Sequence, residues 1–132
     1  MTNNNSIPFI GKLHLILSIL ALVPIAIVYG TKSLVTEFFE IEVNTIDTSN
    51  MLRAIMCLYL AVCFVLFLGA WKSKYWRRAT QLNIVFMLSL AAGRALSMIL
   101  DGIPTQGYIV SIIVEVVLGL YSIYQIRKYD IP

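Results

Sequence analysis

The sequence predicts an all-α integral membrane protein, a bundle of four spanning helices with both termini on the cytoplasmic side. Three observations carry the prediction. Hydrophobic residues make up 59% of the 132-residue chain and charged residues 13%, against roughly 25% charged in an ordinary soluble domain. The apolar residues gather into four stretches, each close to the about 20 residues that cross a hydrocarbon core. The lysines and arginines concentrate on one side of the alternation that these stretches define. The same composition excludes a soluble globular enzyme, a disordered chain and a disulfide-stapled secreted domain.

The first span is expected over residues 13–29. Pro24 lies inside it, which a membrane helix tolerates. Lys12 ahead of an apolar core has the outline of a signal peptide, but the exit Val28-Tyr29-Gly30-Thr31 lacks a small-residue cleavage pattern. The span is therefore expected to be retained. An outer loop over residues 30–50 follows. Leu34, Val35, Phe38, Phe39 and Ile41 would suit a short amphipathic helix, a lid, yet the expectation is a plain interfacial loop. Asp47-Thr48-Ser49-Asn50 reads as an N-cap cluster for the second span, residues 51–71. The third span covers residues 79–100 and the fourth residues 108–124. No repeat or low-complexity segment divides the chain, so residues 1–132 are read as one four-span domain.

The loops set the orientation. Segment 72–79 carries Lys72, Lys74, Arg77 and Arg78 with no acid, and the tail carries Arg127 and Lys128. The loop 30–50 sets Lys32 against Glu37, Glu40, Glu42 and Asp47, and the loop 101–107 has no Lys or Arg. The positive-inside rule then places segment 72–79 and both termini in the cytoplasm. Trp71, Tyr75, Trp76, Tyr121 and Tyr124 fit an inner aromatic belt. The expected localisation is a bacterial cytoplasmic membrane, multi-pass.

Chemistry-bearing residues are few. Cys57 and Cys63 stand about 240° apart around a helix, share neither a disulfide nor a metal, and read as buried apolar thiols. His14, the single histidine, is expected at the inner membrane edge rather than as a ligand. No metal site and no cofactor are expected, since the phosphate-binding, metalloprotease and serine-hydrolase motifs are all missing. The cluster from Lys72 to Arg78 reads as a topology signal touching anionic lipid, with no nucleic-acid partner.

Ionisable residues inside spans are costly and face the bundle interior or a wet cavity. Here they are Arg53, Arg94 and Glu115, with Asp101 at a helix end. Arg94 stands seven residues before Asp101, and Glu115 seven after Tyr108. Each lies about 10 Å below the outer turn at 1.5 Å per residue, so an Arg94–Glu115 ion pair is predicted. Asn83, Met87, Leu90, Arg94, Ser97 and Asp101 form one stripe, and Tyr108, Ser111, Glu115, Gly119 and Ser122 form another. A weaker stripe on the second span joins Asn50, Arg53, Cys57 and Phe64. With all three turned inward, two arginines and two acids share the outer half. The inner half is then nearly apolar apart from Asn83 and Ser122. Ala91, Ala92, Gly93 and Ala95 around Arg94 are read as packing residues that admit a neighbouring helix.

At these residues the sequence resembles a family of small four-helix bacterial membrane proteins, the DUF4345 group. The matching pieces are Pro24 with Tyr29-Gly30, Asn50-Met51-Leu52-Arg53, the run from Gly93 to Pro104, and Glu115-Val116-Val117-Leu118-Gly119. The pattern G-R-x-x-S-x-x-x-D-G-x-P is the specific part. The resemblance implies a four-helix membrane bundle carrying these polar residues, and it implies no activity.

The functional reading is a membrane protein that binds a small anionic or lipid-like ligand in an outward-facing polar pocket of Asn50, Arg53, Arg94, Ser97, Asp101 and Glu115. The arginines would supply fork donors to a carboxylate or phosphate. One alternative is an intramembrane acid/base enzyme on a lipid or isoprenoid, with Asp101 or Glu115 as the proton-transfer group. The other is a structural or assembly subunit. The expected partners are the bilayer, a ligand, and a second copy or another membrane protein. The non-enzymatic reading is favoured, because Arg94 beside Glu115 holds that carboxylate in its charged form.

Overall fold

The computed structural model describes residues 6–130; the ends of the 1–132 span lie outside the described residues. Helix α1 runs Phe9–Gly30, α2 Lys32–Phe39, α3 Ile46–Trp71, α4 Ser73–Asp101 and α5 Gln106–Tyr129. Four of these are long and apolar enough to cross a membrane. Each begins a few residues before the apolar stretch that announces it; α5 also runs on past its stretch, whereas α1, α3 and α4 end at or next to theirs.

The short α2 corrects the expectation of a plain loop in residues 30–50. Val35 is fully buried and Phe39 nearly so. Four residues apart, they anchor one face of two helical turns. Glu40, at φ 55°, turns the chain out of the helix in the left-handed region. The N-cap of α3 is also displaced. Thr45 caps, its Oγ1 accepting from the Thr48 N–H at 3.0 Å, while Asp47 to Asn50 already lie in the helix.

Two ends of the bundle are defined by contacts. At the basic end, Trp76 Nε1 donates to the Gly11 carbonyl at 2.8 Å, Gln125 Nε2 donates to the Ile10 carbonyl at 2.8 Å, and Arg77 pairs with Asp130 at 3.0 Å. The start of α1, the start of α4 and the end of α5 therefore meet there. At the other end, the α2 end, the Phe39 ring stacks on Tyr29 (5.3 Å between centroids) and packs against Tyr108 (4.5 Å). Helix α1 packs chiefly on α3, and α4 chiefly on α5. Gly69 lets α3 and α4 close at their turn: a Cβ there would collide with the Ala79 Cβ.

The outside of the bundle is apolar. Leu20, Phe64, Val85, Ile113 and Val117 are each more than half exposed, the pattern of helices surrounded by lipid rather than water. Several interior expectations change. Asn50, Arg53, Cys57 and Phe64 all lie on the exposed side of α3. Its buried face is instead Leu52, Tyr59, Val62, Cys63, Leu66 and Gly69. Cys57 is thus an exposed thiol and only Cys63 is buried. Trp76 is 2% exposed and belongs to the core, not to an aromatic belt.

The basic half is also not apolar inside. His14, Ser18, Thr80, Asn83 and Ser122 are fully buried there, with Gln125. Asn83 Nδ2 donates to Ser18 Oγ at 2.7 Å and to Ser122 Oγ at 2.9 Å, joining α4 to α1 and α5. His14 is a core residue rather than an interfacial one. Its Nε2 lies 2.9 Å from Thr80 Oγ1, whose proton is directed to the Trp76 carbonyl.

Candidate functional site

The α4–α5 turn decides what faces what at the α2 end. Gly102 takes φ 102°, which favours a residue without a side chain, and α5 restarts at Gln106. The two helices run antiparallel from this turn, so side chains at equal distance from it meet. Arg94 Nε lies 3.0 Å from both carboxylate oxygens of Glu115. The side chains are 15% and 4% exposed, respectively. The predicted ion pair is present.

Aromatic rings enclose the pair. The Arg94 guanidinium carbon sits 5.1 Å from the centre of the Tyr108 ring. The Tyr29 and Tyr59 side chains neighbour the same guanidinium. Tyr29 packs against Tyr59 (5.6 Å), and Tyr59 meets Phe86 edge-on (5.2 Å). Rings beside a cation offer the negative face of their π-systems, which offsets part of the cost of withdrawing a guanidinium from water.

Glu115 engages Nε alone among the Arg94 nitrogens. Four of the five guanidinium N–H donors sit on the two Nη nitrogens, beyond the ion pair, and the Tyr29 and Tyr59 side chains stand within hydrogen-bonding reach of the same guanidinium. Two crevices flank the residue. One, about 330 Å³, lies between α3 and α4 and is lined by Tyr59, Phe86, Gly93 and Arg94. The other, about 240 Å³, is lined by Gly93, Arg94, Ser97, Pro104 and Tyr108. A Cβ on Gly93 would meet nothing within 4 Å. Gly93 is thus not the packing residue the sequence suggested; its missing side chain leaves open space where the crevices adjoin.

Of the remaining candidates, Ser97 borders the second crevice and the others stand apart from it. Ser97 Oγ donates to Asp101 Oδ2 at 2.8 Å on the exposed last turn of α4. Asn50 and Arg53 line a separate cavity of about 430 Å³ with Lys32 and Asn44. The structure brings Arg94, Glu115 and Ser97 to one region and does not bring Arg53 or Asn50 into it. Tyr29 and Tyr59 complete the aromatic surround; Tyr29 is one of the residues that carry the family resemblance, whereas Tyr59 has no signal in the sequence beyond being a polar-tipped ring inside an apolar stretch.

Fold and site together define a class: a small helical protein of membrane type with an ion pair buried near one end. The sequence matches the family described as "Domain of unknown function (DUF4345)" over residues 10–125, and the chain belongs to that family. No curated protein matches it, and no solved structure does.

Proposed function

We propose that this is a four-span membrane protein, with its basic end on the cytoplasmic side, that binds the polar end of a lipid-like molecule at Arg94. The exposed apolar surface and the segregation of basic residues support the placement. The observation that carries the binding reading is Arg94 itself. Glu115 fixes it through Nε, while the residue also borders two crevices and an unfilled space over Gly93.

The pairing narrows the ligand. Glu115 already balances the charge of Arg94, so a free anion gains little there. A hydroxyl, ester or partly shielded phosphate presented by an apolar body suits Nη donors between aromatic walls. Against the acid–base alternative, both Glu115 oxygens face the Arg94 Nε and Asp101 is engaged by Ser97.

Native mass spectrometry of the gently extracted protein tests the reading, with Gly93→Leu and Arg53→Ala beside the wild type. A leucine at Gly93 fills the crevice and leaves the ion pair in place. The expected result is a bound molecule on wild type and Arg53→Ala that is lost from Gly93→Leu. A bare wild-type protein, or equal retention by Gly93→Leu, overturns the reading.

A further inference from the structure

A larger cavity lies on another side of the bundle. It is a groove of about 640 Å³ lined by α1, α5 and α2. Its walls include Pro24 and Val28 of α1 and Val110 and Val114 of α5. Phe38 and Glu37 of α2 line it as well. Ser111 also lines it, but its hydroxyl is spent on the Gly107 carbonyl at 2.9 Å. The groove is therefore mostly apolar, with the Glu37 carboxylate and the Gln106 amide as the polar side chains left on its wall. Glu37 is exposed and has no ion-pair partner among the described residues.

Its dimensions select the occupant. The lining runs from Ala21 to Val28 on α1 and from Gly107 to Val114 on α5, roughly 10 Å along each helix at 1.5 Å per residue. An open, mostly apolar slot about two helical turns long that faces the surrounding lipid suits a flexible alkyl chain. The unpaired Glu37 carboxylate on its wall complements a cation.

From this geometry we infer that the α1–α5 groove holds an acyl chain of an amine-headed membrane lipid, its ammonium group beside Glu37. The inference rests on the membrane-spanning reading and is independent of ligand binding at Arg94.

The test is native mass spectrometry of the full chain from nanodiscs of equal phosphatidylethanolamine and phosphatidylglycerol. Wild type is compared with Glu37→Gln, Val110→Trp and Gly93→Leu. Val110 is 53% exposed, so a tryptophan there fills the groove without entering the core. Circular dichroism confirms that each variant keeps its helices. The wild type is expected to retain phosphatidylethanolamine about two- to fivefold over phosphatidylglycerol, the range an exposed ion pair supplies. Glu37→Gln should lose the preference, Val110→Trp should lose the lipid, and Gly93→Leu should keep both. Equal retention of the two lipids by wild type, or a preference that survives Glu37→Gln, overturns the inference. So does a lipid that Gly93→Leu releases and Val110→Trp retains, which would assign it to the Arg94 crevice. Release of a second copy or another protein by Val110→Trp overturns it in favour of a protein interface.

Discussion

Replacing Glu115 by leucine leaves the Arg94 guanidinium, 15% exposed in the native protein, without its counter-charge about 10 Å below the α4–α5 turn. Breaking a buried pair from one side costs about 3–5 kcal/mol, and an arginine at the centre of a spanning helix about 2.5–3.5 kcal/mol on insertion scales. The partial exposure and the neighbouring tyrosines favour the lower end, so Glu115→Leu should destabilise by about 3 kcal/mol. Arg94→Leu should cost less, about 1–2 kcal/mol, because a stranded carboxyl can shed its charge by taking a proton and a guanidinium cannot. The double variant should lie within about 1 kcal/mol of wild type, since two apolar side chains leave no unpaired charge. Reversible unfolding in mixed micelles, arranged as a double-mutant cycle, measures the coupling between the two sites. Single losses that add to within about 0.5 kcal/mol, or an arginine variant less stable than the glutamate one, would refute the reasoning.

Asn83→Ala removes two hydrogen bonds between helices, each worth about 0.6 kcal/mol on average and up to about 1.7 in a membrane protein. A loss of about 1–3 kcal/mol in the same unfolding assay is expected. Gly69→Val should destabilise by roughly 1–3 kcal/mol through overpacking against Ala79, whereas Gly93→Ala should change stability by less than about 1 kcal/mol; thermal denaturation separates the two. Thr45→Ala removes the α3 cap and should cost about 1 kcal/mol, seen as faster amide exchange over Ile46 to Ser49 with the rest of α3 unchanged.

The parts legible in the sequence were those governed by one strong quantity. Hydropathy marked the four long helices, because an apolar run of that length has few other uses. Distance from a tight turn marked Arg94 and Glu115, because two opposite charges at equal depth in neighbouring helices have strong reason to meet. The inward orientation of Arg53 failed for a related reason. Arg53 lies only two turns into α3, where a long side chain extends to the polar surface along its own helix, so its charge says nothing about the buried face. The polar layer of the basic half was missed because serine, threonine and asparagine are unremarkable singly. The spacing of His14, Ser18, Leu22 and Ala26, each four residues from the last, carried the signal on α1. Helix α2 was obscured because two anchors on two turns barely exceed a chance pattern.

The hydrogen bonds of Asn83 bear on how the bundle can move. It sits on α4, and through Ser18 and Ser122 it holds both α1 and α5. The bundle otherwise consists of two strongly packed pairs, α1 with α3 and α4 with α5. The pairs are riveted together near the basic end, where directional bonds resist sliding and tilting alike. Near the α2 end they meet through ring contacts such as Tyr59 on Phe86, which tolerate small displacements, while the ion pair lies within the α4–α5 pair. The structure therefore has the mechanics of a pair of tongs, with its pivot at Asn83 and its jaws at the crevices around Arg94.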